Sequence, residues 1–191
     1  FNSVPVINSS SFSAQENGTQ IGLISVSDST IPLGQSITYR ISGGPDQGAF
    51  SINQSSGELT FKSYQDFENP ADSGNNRQYD VVIEVSDGQL STSKSISVKL
   101  TDVNDNPSNI SLSSSSINEN LNSGFLVGSM SSVDQDDTTF SYQLVAGSGG
   151  ADNSSFSISG TTLVTSEKFN YDIKNSYSVR IRSTDSNGGY L

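Results

Sequence analysis

Apolar and polar residues alternate in short runs along this chain. Ile37, Tyr39 and Ile41 interleave with Ser36, Thr38 and Arg40; Tyr79, Val81, Ile83 and Val85 recur at every second position; Ile96, Val98 and Leu100 do the same between Ser95, Ser97 and Lys99. A period of two carried by β-branched and aromatic residues is the pattern of a half-buried strand. Clusters rich in Gly, Asn, Asp and Ser punctuate the runs, as at residues 42–46 and 54–57, and read as turns. No segment sustains a helical period. The chain is predicted to be all-β.

The pattern also repeats. Ala14, Gln15, Glu16 and Asn17 return as Ile117, Asn118, Glu119 and Asn120, and Phe50, Ser51 and Ile52 return as Phe156, Ser157 and Ile158. Tyr39 to Ile41 corresponds to Tyr142 to Leu144, and Tyr79, Val81, Ile83 and Asp87 correspond to Tyr177, Val179, Ile181 and Asp185. The offset is 103 to 106 residues early and 98 late, because residues 69–78 form an insertion that the second copy mostly lacks. Self-similarity at this period, with about seven short strands per copy, predicts two tandem Greek-key β-sandwiches. Pro5 and Pro107 stand at matching places ahead of each copy. The boundaries that follow are residues 1–105 for the first domain, including a linker at 102–107, and 106–191 for the second. The second copy runs only six residues beyond Asp185, so its last strand is expected to be missing. The favoured reading is that the fragment's boundary cuts the strand off; the alternative is a strand donated by a neighbouring molecule to the open edge.

Composition narrows the chemistry. The 191 residues include no Cys and no His, which excludes disulfides, ordinary zinc sites and thiol or Ser–His nucleophiles. No run approaches the length of a membrane span or reads as a signal peptide, so the chain reads as a mature fragment without membrane insertion. The net charge of −11 disfavours nucleic acid and favours cations. Acidic and amide side chains concentrate at the copy boundary, in Asp102, Val103, Asn104, Asp105, Asn106 and Pro107. Two further pairs, Asp66 with Glu68 and Asp134 with Asp136, have the i, i+2 spacing that turns both carboxylates of an extended segment to one side. Hard divalent cations take six to eight such oxygens. A lone Asx-rich stretch before proline is more often a turn, and Asp87 in its Ser-Asp-Gly setting reads as a turn residue. An acid/base pair at Asp66 and Glu68 would suit glycoside hydrolysis, but metal ligation explains the pair better, and no enzyme is expected.

The combination of Asp66-Phe67-Glu68, residues 102–107 and Asp134-Gln135-Asp136 resembles the calcium-binding signature of cadherin repeats, across essentially the whole chain. Residues 66–72 and the short acidic loop before Tyr142 resemble the bacterial cadherin-like type. The resemblance implies a cadherin- or immunoglobulin-like sandwich pair with about three Ca²⁺ ions at the junction. Glu16, Asp66, Glu68 and Asp105 would hold the first ion. Glu16, Glu68, Asp102, Asp105 and Asp136, with the Val103 carbonyl, would hold the second. Asn104, Asp134, Asp136 and Asp185, with the Asn106 carbonyl, would hold the third. Eight carboxylates would then face three divalent ions, and calcium would stiffen the linker.

At the start of the first copy the second carboxylate is replaced by Thr30, and in the second copy Asn170 and Asp172 stand where Asp66 and Glu68 do, leaving Glu119 without a cluster. One full cluster is expected. The implied role is calcium-dependent extension within an extracellular or cell-surface adhesion protein of bacterial origin. The alternative is a calcium-dependent module that binds itself, another cadherin-like protein or a polysaccharide. Five Asn-x-Ser/Thr sequons, at Asn8, Asn17, Asn53, Asn109 and Asn153, follow from the Ser-rich composition.

Overall fold

The structure is a computed structural model that describes residues 1–31 and 34–191. It divides into two compact units, Phe1–Val103 and Asn104–Leu191. Among the described residues all regular structure is strand, apart from one 3-10 turn in each unit, at Gln47–Ala49 and Asn153–Ser155.

The first unit contains β1 (Val6–Ile7), β2 (Ser11–Gln15), β3 (Gln20–Leu23), β4 (Val26–Ser27), β5 (Thr38–Gly43), β6 (Phe50–Ile52), β7 (Glu58–Phe61), β8 (Gln78–Ser86) and β9 (Ser91–Thr101). One sheet has the order β2-β9-β8-β5, the other β3-β7-β6, and β1 pairs with β4. The alternation in the sequence becomes the interior. Tyr79, Val81, Ile83 and Val85 of β8 and Ile96, Val98 and Leu100 of β9 point inward and are buried. They meet Phe50, Leu59 and Phe61 of the facing sheet in one apolar cluster. Phe50, Phe61 and Tyr79 form its aromatic centre, with ring centroids 5.1 to 6.4 Å apart. The pairing of β2 with β9 is parallel, from Ser11 opposite Ser97 to Gln15 opposite Thr101. It carries the chain's early residues to the same end of the unit as residues 101–103.

The second unit contains β10 (Asn109–Leu112), β11 (Leu126–Val133), β12 (Ser141–Leu144), β13 (Phe156–Ser159), β14 (Thr162–Thr165) and β15 (Ile181–Thr184). Their orders are β10-β11-β14-β13 and β12-β15. The aromatic centre recurs as Phe156, Phe169 and Tyr177, with centroids 4.4 to 6.0 Å apart. The counterpart of β9 is represented only by its beginning. Tyr190 bridges Thr184, and Leu191 and Ser183 exchange backbone hydrogen bonds of 3.0 and 3.2 Å. Among the described residues no strand lies beside 176–180. Tyr177 is accordingly half-buried, whereas Tyr79 is 1% exposed.

Candidate metal-ligand sets

In the first unit the acidic residues gather at the end where β9 runs out. Glu16 follows β2, and the parallel pairing with β9 sets it beside residues 101–103; its N–H donates to the Thr101 carbonyl at 3.1 Å. Its side chain is buried, at 3% exposure, and acts as a double acceptor. Oε1 accepts the Val103 N–H at 2.9 Å, and Oε2 accepts the Phe67 N–H at 2.7 Å. The second bond draws the 66–68 turn inward, so that carboxylate oxygens of Glu16, Asp66 and Glu68 lie within 4.8 Å of one another. An oxygen of Asp102, which is exposed, comes within the same distance of Glu68. Asp66 also caps its own turn, accepting the Asn69 N–H through Oδ1 at 2.8 Å. Arg77 closes the turn from the other side, donating to the Phe67 carbonyl at 2.7 Å with its guanidinium over the Phe67 ring.

In the second unit the acidic and amide side chains form two hydrogen-bonded groups. Asp136 accepts the Asp105 N–H, and Asp134 Oδ1 accepts the N–H groups of Asp136 and Asp137 at 2.8 and 3.1 Å. Asp134 Oδ2 is buried and has no hydrogen-bond partner among the described residues. Asn104 donates to Asp185 Oδ2 at 2.9 Å, while Asp185 Oδ1 accepts the N–H groups of Asn187 and Gly189 at 2.8 Å each. The Asn104 amide, helped by these backbone N–H groups and opposed by burial, holds the Asp185 carboxyl below its ordinary pKa. Asn106 closes on the same point. A Cβ added at Gly189 would stand 2.3 Å from Asp185 Oδ2, 2.5 Å from Asn106 Oδ1 and 2.8 Å from Asn104 Nδ2. All the donors in both sets are oxygens, and most are anionic, which is the chemistry of a hard divalent cation.

Three polar partners escape a reading by motif. Gln135 donates to Asp105 Oδ2 at 2.7 Å, Asn187 donates to Asn104 Oδ1 at 2.8 Å, and Asn2 donates to Asp87 Oδ2 at 2.7 Å. Asn2 had a signal, since it stands three residues before Pro5 as Asn104 stands before Pro107. Asp87, expected as a turn residue, does accept the Gln89 and Leu90 N–H groups, but it is also fully buried. The Leu90 N–H leads in lowering its pKa, with the Gln89 N–H and the Asn2 amide acting the same way against burial. Asp28 accepts the Ser3 hydroxyl and the Thr30 N–H, and Glu119 caps the Tyr171 N–H at 2.9 Å while remaining exposed.

Comparison with known proteins bears on the family and the fold. Residues 10–101 match the family model of the cadherin domain. The chain is 32% identical over 180 residues to mouse protocadherin Fat 4, covering 87% of this chain and 4% of that protein. Human protocadherin Fat 4 is 32% identical over 159 residues, 78% of this chain and 3% of the relative. The chain thus spans only a few per cent of the length of these relatives. Among solved structures, human protocadherin-24 EC1-2 superimposes with a TM-score of 0.60 at 25% identity, covering 95% of this chain and 87% of that one. Drosophila N-cadherin EC1-4 gives 0.56 at 19% identity, covering all of this chain and 48% of that one, and shows the shared fold.

The two units have the fold of cadherin repeats. Residues 10–101 are a cadherin domain. Cadherins are calcium-dependent adhesion modules that bind homophilic or cadherin partners, and the related proteins are adhesion proteins rather than enzymes. The chain belongs in the extracellular or cell-surface setting of such ectodomains, and among the described residues no helix is long and apolar enough to cross a membrane. The relatives are animal protocadherins, which gives no support to the bacterial type expected from residues 66–72, nor to a polysaccharide ligand.

Proposed function

We propose that residues 102–107 form a calcium-binding joint that stiffens when loaded, within an extracellular adhesion protein. Its ligands are Glu16, Asp66, Glu68, Asp102 and the Val103 carbonyl from the first unit. From the second come Asn104, Asp105, Asp134, Asp136, Asp185 and the Asn106 carbonyl. The observation that carries the reading is the convergence of Glu16, Asp66 and Glu68 within 4.8 Å at the end of the unit from which the linker leaves. Carboxylates held so close repel by about 1–4 kcal/mol per pair between the dielectric of water and that of a protein surface. A divalent cation turns this repulsion into attraction. The second set begins at the next residue, since Val103 and Asn104 share a peptide bond. About three ions satisfy eight carboxylates. The domain boundary of the working protein falls within this linker, with residues 1–105 and 106–191 as its two modules.

Calorimetric titration with calcium, combined with backbone amide relaxation of residues 102–107, tests the proposal. About three ions should bind at up to millimolar concentration, the range of extracellular calcium sites. The linker amides should lose their fast motion as binding saturates. A linker whose motion is the same with calcium and with chelator would refute it.

A further inference from the structure

We propose that Arg77 is a positioning residue for the turn at 66–68: it fixes the carboxylates of Asp66 and Glu68 for calcium without pairing with either. The role rests on the calcium-binding reading of the joint. The turn hangs between two anchors. Glu16 Oε2 takes the Phe67 N–H at 2.7 Å, and Arg77 Nε donates to the Phe67 carbonyl at 2.7 Å. The guanidinium lies over the Phe67 ring, 4.4 Å from its centroid, and that ring packs against the core of the first unit. The peptide planes on both sides of Phe67 are thereby held. Asp66 branches from one of them and Glu68 from the other, so the direction of both carboxylates is set.

Arg77 is itself held by residues 69–78, the segment that the second copy mostly lacks. Its backbone lies in the left-handed region, with φ 66°, which a residue bearing a Cβ adopts at a cost. Asp72, buried at 6% exposure, offsets that cost: Oδ1 accepts the Arg77 N–H at 2.9 Å and Oδ2 the Asn76 N–H at 2.8 Å. The Arg77 carbonyl accepts the Leu100 N–H at 2.8 Å, which ties the segment to β9 just before the joint. Glycine or asparagine would suit this backbone better. Strain kept at one residue points to a role for its side chain.

The charge of that side chain is directed away from the carboxylates. A guanidinium on a strand surface can pair with a carboxylate, as Arg40 does with Glu84 through two hydrogen bonds of 2.9 and 2.7 Å. Among the described residues Arg77 forms no ion pair. The Phe67 carbonyl and ring engage it instead, and Asp66 and Glu68 keep their charge for a divalent cation. Two effects of Arg77 on calcium thus oppose each other. Its positive charge alone weakens cation binding, whereas fixing the turn strengthens it, and the sign of the net effect tells them apart.

Arg77→Asn keeps a residue suited to positive φ and removes the guanidinium. The probe is calcium, titrated into the full chain and followed at the amide signals of Glu16, Phe67 and Glu68. The variant should bind about fivefold or more weakly, the factor expected for one lost hydrogen bond, at low and high salt alike. In chelator its Phe67 amide should exchange faster with solvent, while its melting temperature stays within about 5 °C of the unaltered chain's. Arg77→Gly, which relieves the backbone further, should show the same loss of affinity. Equal or tighter calcium binding by the variants, or unchanged exchange at Phe67, would overturn the role of Arg77 and leave the calcium joint standing. Absence of any calcium response in the unaltered chain would overturn the joint and this role together.

Discussion

Replacing Glu16 by Gln separates the two roles that its carboxylate combines. As an acceptor it satisfies the Val103 and Phe67 N–H groups at 2.9 and 2.7 Å from a position 3% exposed. A Gln side chain can serve one of these and turns an amide N–H₂ against the other. Leaving a buried N–H unsatisfied costs about 1–3 kcal/mol. The substitution also removes one of three carboxylates that lie within 4.8 Å of one another, relieving about 1–4 kcal/mol per pair. Glu16 enters two such pairs, so in chelator the relief at least matches the cost, and the variant should melt no lower than the unaltered chain.

With calcium the balance changes. A ligand at a hundredfold excess over its dissociation constant stabilises the folded state by about 2.7 kcal/mol. For a domain of this size that corresponds to a rise in melting temperature of roughly 10 °C. Glu16→Gln should keep less than about half of that rise, because Glu16 belongs to two of the proposed ion sites. Differential scanning calorimetry in chelator and in calcium reads both quantities. Two results would refute the reasoning: an equal calcium increment in both proteins, or a collapse in chelator with the calcium increment intact. The second would make Glu16 a turn anchor and nothing more.

Gly189→Ala should weaken calcium binding by the Asn104, Asn106 and Asp185 set, since its Cβ would stand 2.3 Å from Asp185 Oδ2; titration detects this, while the core melts unchanged. Asp136→Ala should leave both sandwiches folded by circular dichroism but abolish the calcium-induced ordering of the linker amides. Leu100→Ala, at a position with no exposure, should cost about 3–5 kcal/mol in denaturant unfolding of the first unit. The Asp152 carboxyl is held below its ordinary pKa, first by the Lys174 side chain and then by the Ser178 N–H, against burial. Its contribution is therefore complete above the unfolded pKa and lost as pH falls through the lower folded one. Asp152→Asn should flatten part of the acid loss of melting temperature in the second unit.

The alternating runs were legible because period two leaves a direct trace in sequence. Tyr79 to Val85 and Ile96 to Leu100 are the inward faces of β8 and β9. Strand ends were less so: the run from Ser36 becomes a strand only at Thr38, and it extends to Gly43 with a shift of register between Ile41 and Gly43. The acidic residues could be named from motif spacing, but their convergence could not. Glu16 meets residues 101–103 only through a parallel pairing of strands some 86 residues apart, and no local pattern encodes that partner. Asp87 looked like a turn residue because its turn is local, whereas its burial and its bond to Asn2 are tertiary. The bacterial resemblance rested on loop composition at 66–72, and loops drift faster than the elements they connect.

The parallel pairing of β2 with β9 also decides how the first unit carries tension. The chain enters β2 at Ser11 and leaves β9 at Thr101, and the two strands lie side by side, pointing the same way. Pulling the chain from both ends therefore slides one strand along the other. The ladder from Ser11–Ser97 to Gln15–Thr101 is loaded in shear, and its hydrogen bonds must yield together. A pair pulled apart from one end would open one bond at a time. Resistance to force is set by the unfolding rate, and a shear-loaded clamp raises that barrier without requiring a more stable fold.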